Sequence, residues 1–209
     1  MIQDTSTVWV WDDDRDLLDR TNVAIQVDYQ RSTLSKVVFW DADTPVVTND
    51  RLIYSTTGAA AKKLSSYAYY PPDPHLPVIN TALRNEIESV CGANQVAFHP
   101  CEIRTKSGLV IDAWNLYPLN RVACINREES TVVWDKSESD PEEWTVKSAR
   151  GVKFNPSCLG SLDIARMKED FSWILVSDRL KKVIENFNAK GIRFRLDRDS
   201  RIGNPFGLE

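Results

Sequence analysis

The segment YYPPDPHLP, residues 69–77, sets the strongest limit on how this chain can fold. It places four prolines within nine residues, and each proline fixes φ and removes a backbone hydrogen-bond donor. Regular structure is therefore not expected within the segment. It predicts a boundary between a strand-rich N-terminal lobe, residues 1–75, and an α+β domain, residues 76–209, unless the two form one continuous domain.

Strand-like sequence dominates the first third of the chain. The segments TVWVW, NVAIQVDY and LSKVVFW, at 7–11, 22–29 and 34–40, are rich in β-branched and aromatic residues, which favour strands. Turn-forming residues separate them. This part of the chain is therefore predicted to form a series of strands.

A helix followed by a strand is predicted directly after the prolines. In VINTALRNEIESVCG, Asn80 can cap the helix and Gly92 can end it in the left-handed conformation. The buried stripe is formed by Leu83, Ile87 and Val90. The next segment, QVAFHPCEI, is predicted to be a strand that ends near Pro100, because proline lacks the donor that a strand ladder uses.

The same order recurs near the end of the chain. Ser177 is the predicted cap, Gly191 the predicted stop, and a strand with alternating arginines follows. Before it, SLDIARMKEDF at 161–171 is predicted to form a short helix. No alternation of strands and helices with a glycine-rich turn runs through the chain. The predicted fold class is α+β, mainly antiparallel and strand-rich, with two or three helices packed on the sheets.

Charge is distributed unevenly along the chain. The net charge is −4, yet residues 179–201 carry eight basic side chains against three acidic ones. An acidic body with one basic end argues against general nucleic-acid binding. The apolar runs are far shorter than the roughly 18 residues that a membrane span needs. The first residues carry no export signal, so a cytoplasmic protein is expected.

Cysteine usage supports the same compartment. Cys91, Cys101, Cys124 and Cys158 form no C-x-x-C pair, which favours reduced thiols over structural disulfides. His99 lies two positions before Cys101 and would share its strand face. A reactive pair is thus geometrically possible, although a buried cysteine beside a hydrogen-bonded histidine is the commoner arrangement.

Motifs for other chemistry are scarce. The cluster Asp12, Asp13, Asp14 and Asp16 suggests a cation loop, but Leu17 stands where an EF-hand-type loop needs glycine. No phosphate-binding loop, nucleophile elbow or zincin motif occurs. We therefore expect a protein without a cofactor or metal and without catalytic activity.

An acidic segment is the strongest candidate for a binding surface. Its residues are Asp135, Glu138, Asp140, Glu142, Glu143 and Trp144, with Lys136 as the sole basic side chain. The carboxylates could steer a basic partner protein while the tryptophan anchors it. The alternative is a solvated hairpin loop. The basic segment 179–201 has the same two interpretations, and a scaffold role is the favoured one.

Three segments resemble a known bacterial family. They are QVAFHPCEIRTKSG, WNLYPLNRVACINREEST and ARMKEDFSWILVSDRLKKVIENFNAKGIRFR, within residues 79–196. Their order and spacing resemble a domain first catalogued as of unknown function, many members of which are immunity proteins of polymorphic toxin systems. Ala123 and Asn126 stand where acidic residues are expected, and residues 1–75 carry none of the resemblance.

The resemblance implies a cytoplasmic protein that binds and neutralises a cognate toxin without catalysis. An acidic inhibitor would suit a basic toxin, such as a nuclease. Two other functions stay open at this point. One is a scaffold or regulatory module that binds different partners, and the other is a small enzyme that uses His99 and Cys101.

Overall fold

The computed structural model describes residues 7–14, 25–28, 30–32, 51–56, 64–70, 72–73, 77–136, 144–170 and 172–196. The chain divides into two compact units. The first consists of residues 1–12, 120–181 and 194–209, and the second of residues 13–119 and 182–193. Position 75, where the proline segment predicts a boundary, lies inside the second unit. The predicted strand LSKVVFW lies outside the described residues.

Strands outnumber helices among the described residues. The helices are α1 (Thr81–Cys91) and α2 (Asp178–Asn186). The strands are β1 (Val8–Asp13), β2 (Ile25–Val27), β3 (Leu52–Thr56), β4 (Tyr69–Tyr70), β5 (Pro72–Asp73), β6 (Val78–Ile79), β7 (Val96–Arg104), β8 (Val110–Pro118), β9 (Arg121–Val122), β10 (Thr131–Lys136), β11 (Trp144–Arg150), β12 (Ile164–Met167), β13 (Ile174–Ser177) and β14 (Ile192–Arg195).

The second unit contains a seven-stranded sheet in the order β4-β6-β8-β7-β3-β2-β5. Its two edge strands, β4 and β5, are separated by a single residue in the chain. One residue can span only about 3.6 Å, so the two edges must lie close together and the sheet is nearly closed, like a barrel. The expectation that residues 69–77 hold no regular structure is wrong, because Pro72 lies in an edge strand, where proline is tolerated.

Apolar residues from neighbouring strands of this sheet form one core cluster. It includes Tyr54, Tyr70, Cys101, Ile103 and Ala113, all buried. β7 does not end near Pro100 as predicted but continues to Arg104. Pro100 pairs with Trp114 of β8, and the pairing with β3 begins one residue later at Leu52↔Cys101. Proline therefore stands just outside the part of β7 that is paired on both sides.

Helix α1 follows the sequence prediction closely. The side chain of Asn80 accepts a hydrogen bond of 2.8 Å from the backbone N–H of Leu83, as an N-cap does. Gly92 has a φ of +69° and donates its N–H to the carbonyl of Glu88. Leu83 and Ile87 of the predicted stripe are fully buried. Both ends of this helix were predicted correctly.

A five-stranded sheet has the order β14-β1-β13-β12-β9. The predicted helix at 161–171 is wrong, because Ile164–Met167 forms strand β12 between β13 and β9. All four of its residues are buried, including Arg166. A strand buried on both faces shows no alternation, so a run this short cannot be told from a helix by periodicity.

Helix α2 begins as predicted and ends earlier than predicted. Ser177 Oγ accepts from the N–H of Leu180 at 3.2 Å and so caps the helix. The helix ends at Asn186, and Asn188 takes the left-handed conformation with a φ of 58° before Gly191 does so at 92°. Asparagine tolerates this region better than other non-glycine residues.

The α+β prediction holds only in broad terms, because two of the three described sheets are mixed. Three strand pairs are parallel, namely β3 with β7, β2 with β5 and β9 with β12. The remaining described pairs are antiparallel. Parallel pairing joins strands that are distant in sequence, and this is why a reading of local turns could not predict it.

Candidate partner-binding hairpin

Strands β10 and β11 form an antiparallel hairpin in the first unit. Its register runs from Thr131↔Arg150 to Lys136↔Trp144, with a bulge at Lys147 between two successive pairs. On one face, Val132, Trp134 and Val146 pack against the core cluster that contains Val152 and Trp173. An isolated two-stranded hairpin is marginally stable in water, so this packing fixes the hairpin in place.

The hairpin carries exposed side chains in the middle of β10 and at its open end. Trp144 is 42% exposed and Val133 is 53% exposed. Lys136, the cross-strand partner of Trp144, holds its ammonium nitrogen 5.5 Å from the indole centroid. Asp135 forms an ion pair of 3.6 Å with Lys147. A large aromatic side chain that is exposed to this extent is typical of an interface anchor.

Two of the six predicted binding residues belong to the described part of this hairpin. Asp135 and Trp144 lie on neighbouring rungs of the ladder, at Asp135↔Thr145 and Lys136↔Trp144. The other four, Glu138, Asp140, Glu142 and Glu143, lie outside the described residues. Val133 and Lys136 were not singled out from the sequence. The apolar and polar alternation of TVVWDK and WTVKSAR is the signal that could have found them.

The root of the hairpin is held by backbone hydrogen bonds. Asn126 N–H donates to the carbonyl of Lys153, and Asn155 N–H donates to the carbonyl of Cys124, both at 2.8 Å. Lys153 N–H also donates to Ser130 Oγ at 2.9 Å. These bonds bring the segment before β10 against the segment after β11. The hairpin therefore starts from a fixed base.

A buried carboxylate adds to this base. Glu169 is 5% exposed, and its Oε1 accepts from the N–H groups of Cys124 at 3.0 Å and Ile125 at 3.1 Å. A charged acceptor strengthens such bonds, and without the donors a buried carboxylate would be strongly unfavourable. Nothing in the local sequence marks Glu169 for this role, because its partners lie more than forty residues away.

The expectation of four reduced cysteines is wrong. Cys124 and Cys158 form a disulfide, with their Cα atoms 5.2 Å apart and a sequence separation of 34. Cys91 and Cys101 are buried and form no disulfide. The pairing depends on the chain reversal through the hairpin, which brings two distant cysteines within bridging distance. Cysteine spacing alone does not contain that information. The closed loop includes all of β10 and β11.

The basic segment 179–201 is built into the scaffold at three positions. Arg179 forms an ion pair with the buried Asp163. Lys181 places its ammonium 4.4 Å from the ring centroid of Trp9. Arg195 contacts Asp12 at 3.1 Å. These contacts support the scaffold interpretation of the segment.

The proposed reactive pair lies inside the second unit. His99 is 8% exposed and Cys101 1% exposed. Burial, reinforced by the carboxylates of Asp112 and Glu102, raises the pKa of the Cys101 thiol far above its usual range, despite the opposing effects of the Asn115 backbone and Arg51. The thiolate is the nucleophilic form, so a thiol held neutral inside the core is poorly suited to catalysis.

The aspartate cluster is engaged in structural contacts where it is described. Asp12 pairs with Arg195, and Asp13 accepts a hydrogen bond from the hydroxyl of Tyr69. Asp16 lies outside the described residues. Within the described ranges, no group of three or more histidine, cysteine, aspartate or glutamate side chains is arranged to hold a metal ion.

Comparison with known families identifies the chain. The family model described as "Immunity protein family (Imm11)" matches residues 9–197 of the 209. The chain belongs to the Imm11 immunity protein family. The match confirms the resemblance carried by residues 79–196 and extends it through the N-terminal strands. Imm11 is a family of immunity proteins, which are generally non-catalytic.

One further comparison and one structural finding bear on this Imm11 member. No curated protein matches it. No helix within the described part of the chain is long and apolar enough to cross a membrane.

Proposed function

We propose that this chain neutralises a cognate toxin in the cytoplasm by binding it through the hairpin β10–β11 and the acidic segment between its strands. The observation that carries the proposal is the exposed Trp144 at the end of a hairpin whose root is fixed. A rigid scaffold that presents an aromatic side chain to water lowers the ordering cost of binding. Family membership supports a toxin as the partner.

Charge supports a basic partner. Residues 135–144 contain five carboxylates and one lysine. This local excess of negative charge speeds the encounter with a basic surface and makes the association rate sensitive to salt. A nuclease is a toxin class with this charge, because its substrate is a polyanion. Binding needs neither catalysis nor a cofactor on this side of the interface.

The affinity is expected to depend on the tryptophan more than on the carboxylates. Anchoring aromatic residues at the centre of an interface typically contribute 2 kcal/mol or more, whereas rim charges mainly change the association rate. An interface of about 800 Å² on each partner is standard for a stable complex. The hairpin could supply part of that area, with Trp144 as its anchor.

Co-expression with the toxin encoded beside this chain's gene tests the proposal. Growth should be rescued, and the two proteins should co-purify. Trp144→Ala is expected to weaken binding by about 30-fold, which corresponds to about 2 kcal/mol. Leu109→Ala is the matched control, because Leu109 is also 42% exposed but lies at the β7–β8 turn.

The two variants separate the possible results. The hairpin would be supported as the binding surface if Trp144→Ala impairs rescue and co-purification while Leu109→Ala leaves both unchanged. Growth arrest despite abundant protein would contradict the function for that toxin. Stable complexes with other cellular proteins in place of the toxin would favour a scaffold or regulatory module.

A further inference from the structure

The hairpin has one edge that the rest of the described chain does not cover. Among the described strands, β10 pairs with β11 alone. The other edge of β11 is already in contact with the protein, because Val146 N–H donates to the backbone carbonyl of Glu169 at 2.9 Å. The available edge of this sheet is therefore that of β10, a strand of six residues.

This contact shows which backbone N–H and C=O groups of β10 face the open edge. In an antiparallel pair, opposite residues either bond to each other or both point their N–H and C=O groups away. The backbone N–H of Val146 points away from β10, so the N–H and C=O groups of its partner Trp134 point away from β11. The N–H and C=O groups of successive residues alternate between the two edges of a strand, and the bulge lies in β11 and does not change this alternation in β10. The N–H and C=O groups of Val132 and Lys136 therefore also face the open edge.

One local hydrogen bond agrees with this assignment and shows how the edge is protected. Lys136 N–H donates to Oδ1 of Asp135 at 3.0 Å, a bond exposed to water. It is not used in the ladder with β11. Charged side chains and bulges are common protections of edge strands against unwanted pairing. An incoming strand can displace a water-exposed bond of this kind at small net cost.

We infer that the toxin binds by adding an extended strand to the open edge of β10. This rests on the proposed function and specifies its binding mode. The acidic segment between the strands begins directly after β10, so a basic strand would be attracted to this edge. A second copy of the chain would carry the same acidic segment and the same net charge of −4. Main-chain bonds would provide affinity, and Val133 and Trp144 would select side chains.

Residue-resolved amide exchange of the intact protein, free and with the adjacent toxin, tests the strand addition. Val132, Trp134 and Lys136 should exchange rapidly in the free protein and become protected in the complex. Val133 and Asp135, which bond to β11, should be protected in both. Protection of all five in the free protein would show that another segment of the chain covers the edge, and would overturn the inference.

A pair of variants at one position supplies the second test. Lys136→Pro removes an edge N–H that β11 does not use, whereas Lys136→Ala keeps the N–H and removes the side chain. The proline variant is expected to lose at least 10-fold in affinity with an unchanged melting temperature, and the alanine variant much less. Equal losses would assign the effect to the lysine side chain and contradict strand addition.

The remaining outcomes separate this inference from the proposed function. If both variants bind the toxin as tightly as the original chain, the edge is not used while the immunity function stands. If the original chain itself fails to bind the toxin, the proposed function fails first. The free protein could instead dimerise with increasing concentration, and Lys136→Pro could abolish this dimerisation. That result would identify a second copy as the occupant of the edge and overturn the inference.

Discussion

The disulfide between Cys124 and Cys158 should be the largest single covalent contribution to the stability of the first unit. It closes a loop with a sequence separation of 34. In the chain-entropy description, a loop of this length lowers the entropy of the unfolded chain by about 12.6 cal/mol/K, which corresponds to about 3.8 kcal/mol at 25 °C. We expect reduction to remove about this much of the free energy of unfolding.

Urea unfolding with and without dithiothreitol measures the effect. Intrinsic tryptophan fluorescence is a suitable probe, because Trp173 lies in the same core cluster as Cys124. The reductant should shift the midpoint of the original chain to lower urea. The double variant Cys124→Ala/Cys158→Ala should start near the shifted midpoint and respond no further to reductant. Cys91→Ala is the control, because it keeps the disulfide and should retain the full response.

Thiol titration in denaturant shows whether the bond is present before reduction. Two thiols per chain should react in the untreated protein and four after reduction, since Cys91 and Cys101 form no disulfide. A count of four without reductant, or an identical urea midpoint in both conditions, would refute the reasoning. The cytoplasm keeps most thiols reduced, so the reduced form should also be assayed for toxin binding.

Three further predictions concern single side chains. Glu169→Gln weakens the charged acceptor of the Cys124 N–H and should lower the free energy of unfolding by about 1.5 to 3 kcal/mol, measured in urea; an unchanged value would contradict its role at the hairpin root. Ser177→Ala removes the cap of Leu180 N–H and should cost about 1 kcal/mol or more in thermal unfolding. Burial raises the pKa of Tyr70 from 10.0 to about 12. Its unfolded phenol ionises first, so this stability is present below pH 10 and is lost between about pH 10 and 12. Tyr70→Phe should make unfolding in urea less dependent on pH across that range, and an equally steep loss in the variant would assign it to other groups.

The hairpin that carries two of the candidate residues was predictable in part because its signals are local. An aromatic residue directly after a run of carboxylates marked Asp135 and Trp144 before any pairing was known, and the structure places both on one hairpin. A binding role stays a prediction for all six candidate residues, Asp135, Glu138, Asp140, Glu142, Glu143 and Trp144. Glu169 and the open edge of β10 could not be predicted, since each depends on which distant segment packs beside the hairpin.

What the sequence by itself determined lies within single turns of the chain. Asn80 and Ser177 cap the helices that follow them, because a cap needs only an acceptor three residues before the N–H that it binds. Family membership also belongs to the sequence.

Only the tertiary structure decided the parallel pairs, the disulfide and the strand state of residues 164–167, 69–70 and 72–73. A short buried segment becomes a strand when neighbours on both sides supply its hydrogen bonds, as β13 and β9 do for β12. Pro72 is compatible with the sheet because it lies in β5, which pairs only with β2 among the described strands, so no further described strand needs its missing donor. The partners in the parallel pairs and in the disulfide are distant in sequence, so local patterns carry no record of them.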